Sequence, residues 1–182
     1  MAKILGISGS LRQGSFNTMA LRAAAALVPA GSSLGLHDLR DIPPYDEDVR
    51  AVGFPAPVRA LREAVGAADA LLLATPEYNY SFSGVLKNAI DWVSRPPEQP
   101  FADKPIAVMS ASMGVLGGAR AQYHLRQCFI FLDAKLLNRP EVMIGQAQTK
   151  FSAEGALTDA PTARIMGEML QALIDWARRL RA

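Results

Sequence analysis

Cysteine is almost missing from this 182-residue chain: Cys128 stands alone. No intrachain disulfide framework can form, and a thiolate zinc site is disfavoured. Histidine is nearly as scarce, and His37 and His124 lack the spacing of metal ligands. No apolar run reaches the roughly 18 residues of a membrane span. Lys3 leads straight into an apolar stretch with no signal-peptide pattern, so the expectation is a soluble, cytoplasmic protein. Excess charge of one sign is absent too, since 19 Lys and Arg face 17 Asp and Glu for a net +2. The only tight basic cluster is Arg178, Arg179 and Arg181, so a nucleic-acid footprint is not indicated.

What is present reads as one globular domain over residues 1–182, half of it hydrophobic and 20% charged. Residues 4–7 (ILGI), 70–74 (ALLLA) and 106–109 (IAVM) are short apolar runs without polar alternation, the pattern of parallel strands covered on both faces. Residues 34–39 and 141–144 are weaker strand candidates. Helical patterns cover 16–28, 84–94 and 118–133. In the last helix Ile165, Met169, Leu173, Trp176 and Leu180 form a stripe, with Pro161 suited to the first turn. Five strands alternating with five helices predict an α/β three-layer sandwich, with a five-stranded parallel sheet in the flavodoxin-like order 2-1-3-4-5. In such a sheet ligands bind outside the carboxyl ends of the strands where the strand order reverses, here between the first and third strands.

That rule singles out three loops. Residues 8–18, "SGSLRQGSFNT", carry hydroxyls at Ser8, Ser10, Ser15 and Thr18, an amide at Asn17 and a guanidinium at Arg12, ahead of a helix whose N–H groups and dipole favour an anion. The loop fits neither the dinucleotide glycine fingerprint nor the Walker pattern. It suits a terminal phosphate monoester, and an ordinary serine-rich helix cap fits as well. Residues 75–84, "TPEYNYSFSG", set Tyr78, Tyr80 and Phe82 in alternation after the most apolar strand. They offer flat surfaces for a heterocycle, with a plain strand extension as the other reading. Glu77 and Lys87 have acid–base chemistry, but no histidine or second carboxylate lies nearby to complete a catalytic set. Residues 110–120, "SASMGVLGGAR", combine Ser110 and Ser112 with Gly114, Gly117 and Gly118, which permit close approach of a ligand or a neighbouring backbone.

Three segments, "GSLRQGSFN", "PEYNYSFSGVLKNAIDW" and "SMGVLGGARAQYHLRQ", closely resemble the NADPH-dependent FMN reductase family, in its quinone and chromate reductase branch. The resemblance runs in order over nearly the whole chain. It implies a flavodoxin-like fold, bound FMN, and reduction of quinones, and promiscuously of chromate, azo or nitro compounds, by NADPH or NADH. Matched by position, Ser10, Arg12, Ser15, Phe16, Asn17 and Thr18 fall in the FMN-phosphate loop. Pro76, Glu77, Tyr78 and Asn79 match the segment along the flavin ring, with Tyr80 beside it, and Ser112 and Gly114 the loop near its other side. Ser83 departs from the family pattern, which usually has proline there; serine can instead cap the following helix. With the redox chemistry belonging to the flavin, no classical catalytic side chain is expected. A flavodoxin-type electron carrier is the alternative, and the near-neutral charge fits it poorly. The run Cys128–Leu132 would be apolar on every face of a helix, which predicts a second subunit covering one side, a homodimer or homotetramer. Arg120 and Tyr123 are candidates to bond across that interface, and Cys128 reads as a small buried hydrophobe.

Overall fold

The computed structural model describes residues 1–181. Strand β1 (Lys3–Ser8) is flanked by β2 (Ser33–His37) and β3 (Ala70–Thr75), and β3 pairs with β6 (Pro105–Ala111), all parallel. The fifth position is shared by two short pieces, β7 (Lys135–Leu136) beside the start of β6 and β8 (Val142–Ile144) beside its end. The order β2-β1-β3-β6-β7 is the expected 2-1-3-4-5 once a small outlying hairpin, β4 (Glu77–Tyr78) with β5 (Ser81–Phe82), is set aside. β7 escaped sequence reading because two residues carry no period.

The continuous apolar runs have a direct physical cause. Along β3, Ala70, Leu72 and Ala74 enter one core while Leu71 and Leu73 enter the other, so every position is buried. The first core packs under α1 (Phe16–Leu27) and α6 (Ala160–Arg181). The second packs under α3 (Ala56–Ala67), α4 (Gly84–Val93) and α5 (Ala119–Cys128). A sixth helix, α2 (Glu47–Val52), buries no residue, so its sequence shows no apolar stripe, whereas α3 buries Val58, Leu61 and Val65 and was expected between the second and third strands without a range.

Two helices differ from expectation. The helix expected over 118–133 ends at Cys128, and the chain then turns. The five apolar side chains therefore do not ring a helix: Phe129 and Leu132 pack inward, while Ile130 and Phe131 are 77% and 94% exposed. In α6 the buried face runs through Met166, Met169, Leu170, Leu173, Ile174 and Ala177. Trp176 and Ile165 sit at its margin, and Leu180 is exposed. Trp176 instead donates its indole N–H to Lys135 O at 3.3 Å, tying α6 to β7.

Candidate functional site

The carboxyl ends of β1, β3 and β6 lie side by side in the sheet and bring the three loops together. In the first loop Ser15 is the N-cap of α1: its extended backbone stops the helix and its hydroxyl accepts from Thr18 N at 3.4 Å. Thr18 Oγ1 donates to Ser8 Oγ at 2.9 Å, and Ser8 Oγ in turn accepts from Ser10 N at 3.2 Å. The Asn17 amide is committed elsewhere. It donates to Ala111 O at 3.0 Å and accepts from Ala111 N at 2.9 Å, a closed pair, 3% exposed, that clamps the first turn of α1 to the end of β6. Asn17 therefore brings to the loop its backbone N–H rather than its side chain. Ser10 Oγ and the Arg12 guanidinium make no hydrogen bond to any described residue. Arg12 rests over the Phe16 ring at 5.6 Å, and Phe16 meets Phe151 at 5.9 Å between ring centres.

In the second loop Pro76 is buried and the chain reverses as a two-residue hairpin. Asn79 and Tyr80, at φ 49° and 69°, form its turn. Two positive φ values match the right-handed twist of a hairpin, and a tyrosine pays steric strain to adopt one. The turn leaves Tyr78 and Tyr80 exposed, 54% and 67%. The alternation of Tyr78, Tyr80 and Phe82 thus reflects a folded-back turn, not an extended strand. Arg120 covers the Tyr80 ring with its guanidinium carbon 3.8 Å from the ring centre, and its Nε lies 3.2 Å from Glu77 Oε1. Glu77 Oε2 accepts from Ala121 N at 3.2 Å, a carboxylate at the positive end of α5. So Arg120 forms an ion pair within its own chain, and Tyr123 is half exposed. Lys87 pairs with Asp91 at 2.7 Å, one turn along α4. Among the described residues neither Glu77 nor Lys87 has a proton-relay partner.

Ser83 caps α4: its hydroxyl accepts from Leu86 N at 3.2 Å, as its departure from proline suggested. The same hydroxyl lies where a side chain on Gly9 would go, with the two only 2.7 Å apart. Sequence reading passed over Gly9, whose need for no side chain depends on a residue 74 positions away.

The third loop is braced from below. Ser110 Oγ donates to Gly117 O at 2.5 Å and accepts from Gln122 Nε2 at 2.8 Å, both side chains fully buried. Ser110 thus faces the core and Ser112 the loop, where its hydroxyl reaches Gly114 O at 3.3 Å. Gly117 and Gly118 hold φ 60° and 86°, and a Cβ on either would come within 2.7 Å of its neighbours. Their freedom serves close backbone packing. Met113, Val115 and Leu116 stay exposed at the loop tip.

Asn88 and Trp92, the polar marks of the "LKNAIDW" segment, turn away from these loops. Both donate to Pro43 O at 2.8 Å, and Asn88 accepts from Tyr45 N at 2.7 Å, so the motif holds the 41–46 segment against α4. Segment 151–159 folds on itself through a Phe151–Leu157 bridge, with Gly155 packed on Met19 of α1. Cys128 is half-buried, and burial pushes its thiol pKa up. His124 Nδ1 lies 3.2 Å from Ser81 Oγ, and His37 is half-buried with its pKa lowered by that burial against the pull of Asp38. Among the described residues no cluster could hold a metal ion. No helix among them is long and apolar enough to cross a membrane.

Comparison with known proteins agrees with this arrangement. A family model described as NADPH-dependent FMN reductase matches residues 2–149. An NAD(P)H-dependent FMN reductase of Pseudomonas aeruginosa is 60% identical over 179 residues, 98% of this chain and 97% of that one. A quinone reductase of Escherichia coli K12 is 46% identical over 98% of this chain and 97% of its own. Among solved structures, the flavoenzyme NAD(P)H:(acceptor) oxidoreductase FerB of Paracoccus denitrificans superposes with a TM-score of 0.89 at 32% identity, covering 98% of each chain.

Proposed function

The chain belongs to the NADPH-dependent FMN reductase family, and on that premise we propose that it is an FMN-dependent oxidoreductase taking electrons from NADPH or NADH and reducing quinones. Chromate, azo and nitro compounds are promiscuous acceptors in this reading, and the cytoplasm, where reduced nicotinamide nucleotides are held, is its place of work. The observation that carries the proposal is the donor set of the first loop: Ser10 Oγ and the Arg12 guanidinium without a hydrogen-bond partner among the described residues, beside a helix start whose first N–H groups have no intrahelical partner. That set suits a phosphate monoester, and the adjoining exposed tyrosines suit a flat heterocycle.

Ser10, Arg12, Ser15 and Thr18, with the backbone N–H groups of Phe16 and Asn17, would hold the phosphate. Pro76, Glu77, Tyr78, Asn79 and Tyr80 would line one side of the ring, and Ser112 and Gly114 the other. When bound, FMN supplies the two-electron redox chemistry. The protein's part in this reading is to orient it, with no side chain moving a proton in an essential step. We also propose that the molecule assembles as a homodimer or homotetramer through Ile130 and Phe131, whose exposed apolar pair resembles an interface more than a solvated turn.

The test begins with the visible absorption of the purified protein and chromatography of the released chromophore, followed by steady-state NAD(P)H oxidation with a quinone. Bound FMN with turnover supports the proposal. FMN without turnover would make the protein an electron carrier, and no FMN even after reconstitution would defeat both readings.

A further inference from the structure

We propose that a cleft behind the first loop is a second anion site, distinct from the flavin-phosphate position and suited to a phosphate monoester. The cleft, about 350 Å³, lies between the first loop, α1 and the end of β2, and takes no residue from the second or third loop. It is large enough for a nucleotide-sized ligand's charged end. Ser10, Arg12, Gln13, Arg22 and His37 line it, and none of these side chains makes a hydrogen bond to a described residue. Gln13, Arg22 and His37, the three not assigned to the flavin phosphate, converge with Arg12 on one concavity, and side-chain donors without hydrogen-bond partners there can take up an anion.

The charge agrees. Arg12, Arg22 and Arg40 supply cations, and the one carboxylate in the lining, Asp38, is turned toward Arg40, accepting from its N at 2.8 Å and lying 3.8 Å from its Nε. Arg40 in turn donates to Leu11 O at 3.0 Å, fixing the wall shared with the first loop. Guanidinium forks match the paired oxygens of a phosphate, and a dianion answers the cation excess better than a single carboxylate. The assignment of the cleft as second rests on the reading of the first loop as the flavin-phosphate loop. Because Ser10, Arg12 and Thr18 line both, the far wall, Arg22 and His37, is what separates them. The 2′-phosphate of NADPH and free phosphate share this chemistry.

The experiment titrates FMN-saturated protein with inorganic phosphate and with 2′-AMP by calorimetry, comparing wild type with the double variant Arg22→Gln, His37→Gln. Both ligands should bind the variant at least about tenfold more weakly, with FMN affinity unchanged. If the variant also raises KM for NADPH but not for NADH, the donor's 2′-phosphate is the occupant. If neither KM moves, free phosphate is, and both results support the site. Equal binding to wild type and variant, or binding to neither, overturns it. Should the chain take up no FMN, the functional reading fails separately. In flavin-free protein the same titration still reads the cleft, as the share of phosphate binding that the double variant loses.

Discussion

Arg62 places a charge where the fold needs donors. Its guanidinium, 7% exposed, donates to Val93 O at 2.5 Å and Arg95 O at 2.7 Å at the end of α4, pairs with Glu98 at 2.9 Å, and lies over Phe54 at 4.2 Å. Carbonyls at a helix C-terminus have no intrahelical partners, so this one side chain satisfies several at once. Arg62→Ala should lower the unfolding free energy by about 3 kcal/mol in urea denaturation, the expected cost of stranding buried acceptors. Glu77 has a gentler role. Glu77→Gln keeps an acceptor for Ala121 N and loses the ion pair with Arg120, so turnover with saturating FMN should stay within about tenfold of wild type. A fall of several orders of magnitude would mean that Glu77 handles a proton. At this scale the sequence was informative about chemistry and blind to commitment. Ser10 Oγ has no hydrogen-bond partner among the described residues and the Arg12 guanidinium only rests over Phe16, whereas the Asn17 amide and the Ser110 hydroxyl look equally available on paper and are bound into the frame. Their partners, Ala111 and Gly117, are known only once the strands are side by side.

Elements show the same division. β3 and β6 were legible because burial on both faces writes itself as an unbroken apolar run, while α2 and the β4–β5 hairpin bury too little to leave a pattern. The coupling of β1's end to α4 was also out of reach, since it is a contact between Gly9 and Ser83. Gly9→Ala should cost about 1–3 kcal/mol by overpacking. Ser83→Ala should cost about 1 kcal/mol through the lost cap. A double-mutant cycle should find the pair less damaging than the sum, because removing the hydroxyl makes room for the new methyl. Helix α2 gives a prediction in pH. Hydrogen bonds from Arg50, then Tyr45, hold the Glu47 carboxyl at about 2, below its ordinary 4.5. The folded state therefore binds this proton less readily than the unfolded chain. Glu47's contribution is complete above about pH 4.5 and is lost as the pH falls through about 2. Comparing acid denaturation of wild type with Glu47→Gln should show a shallower decline for the variant across that window.

For the whole molecule, the expected strand order survived because parallel strands joined by right-handed crossovers leave few topologies. The expected basis for assembly did not survive in the same form. A helix was to be apolar all round, and the structure instead offers a turn whose two outward side chains, Ile130 and Phe131, are mostly bare. Light scattering at micromolar concentration should report an oligomer for wild type and a monomer for Phe131→Asp. A monomeric wild type would remove the interface.

The paired hydrogen bonds between Asn17 and Ala111 join residues 94 positions apart and lie under both the first and third loops. With that strut in place, neither loop can shift without the other. The amide proton of Ala111 is thus a natural gauge of the site: its exchange with deuterated water should slow on cofactor uptake and quicken whenever the phosphate turn loosens.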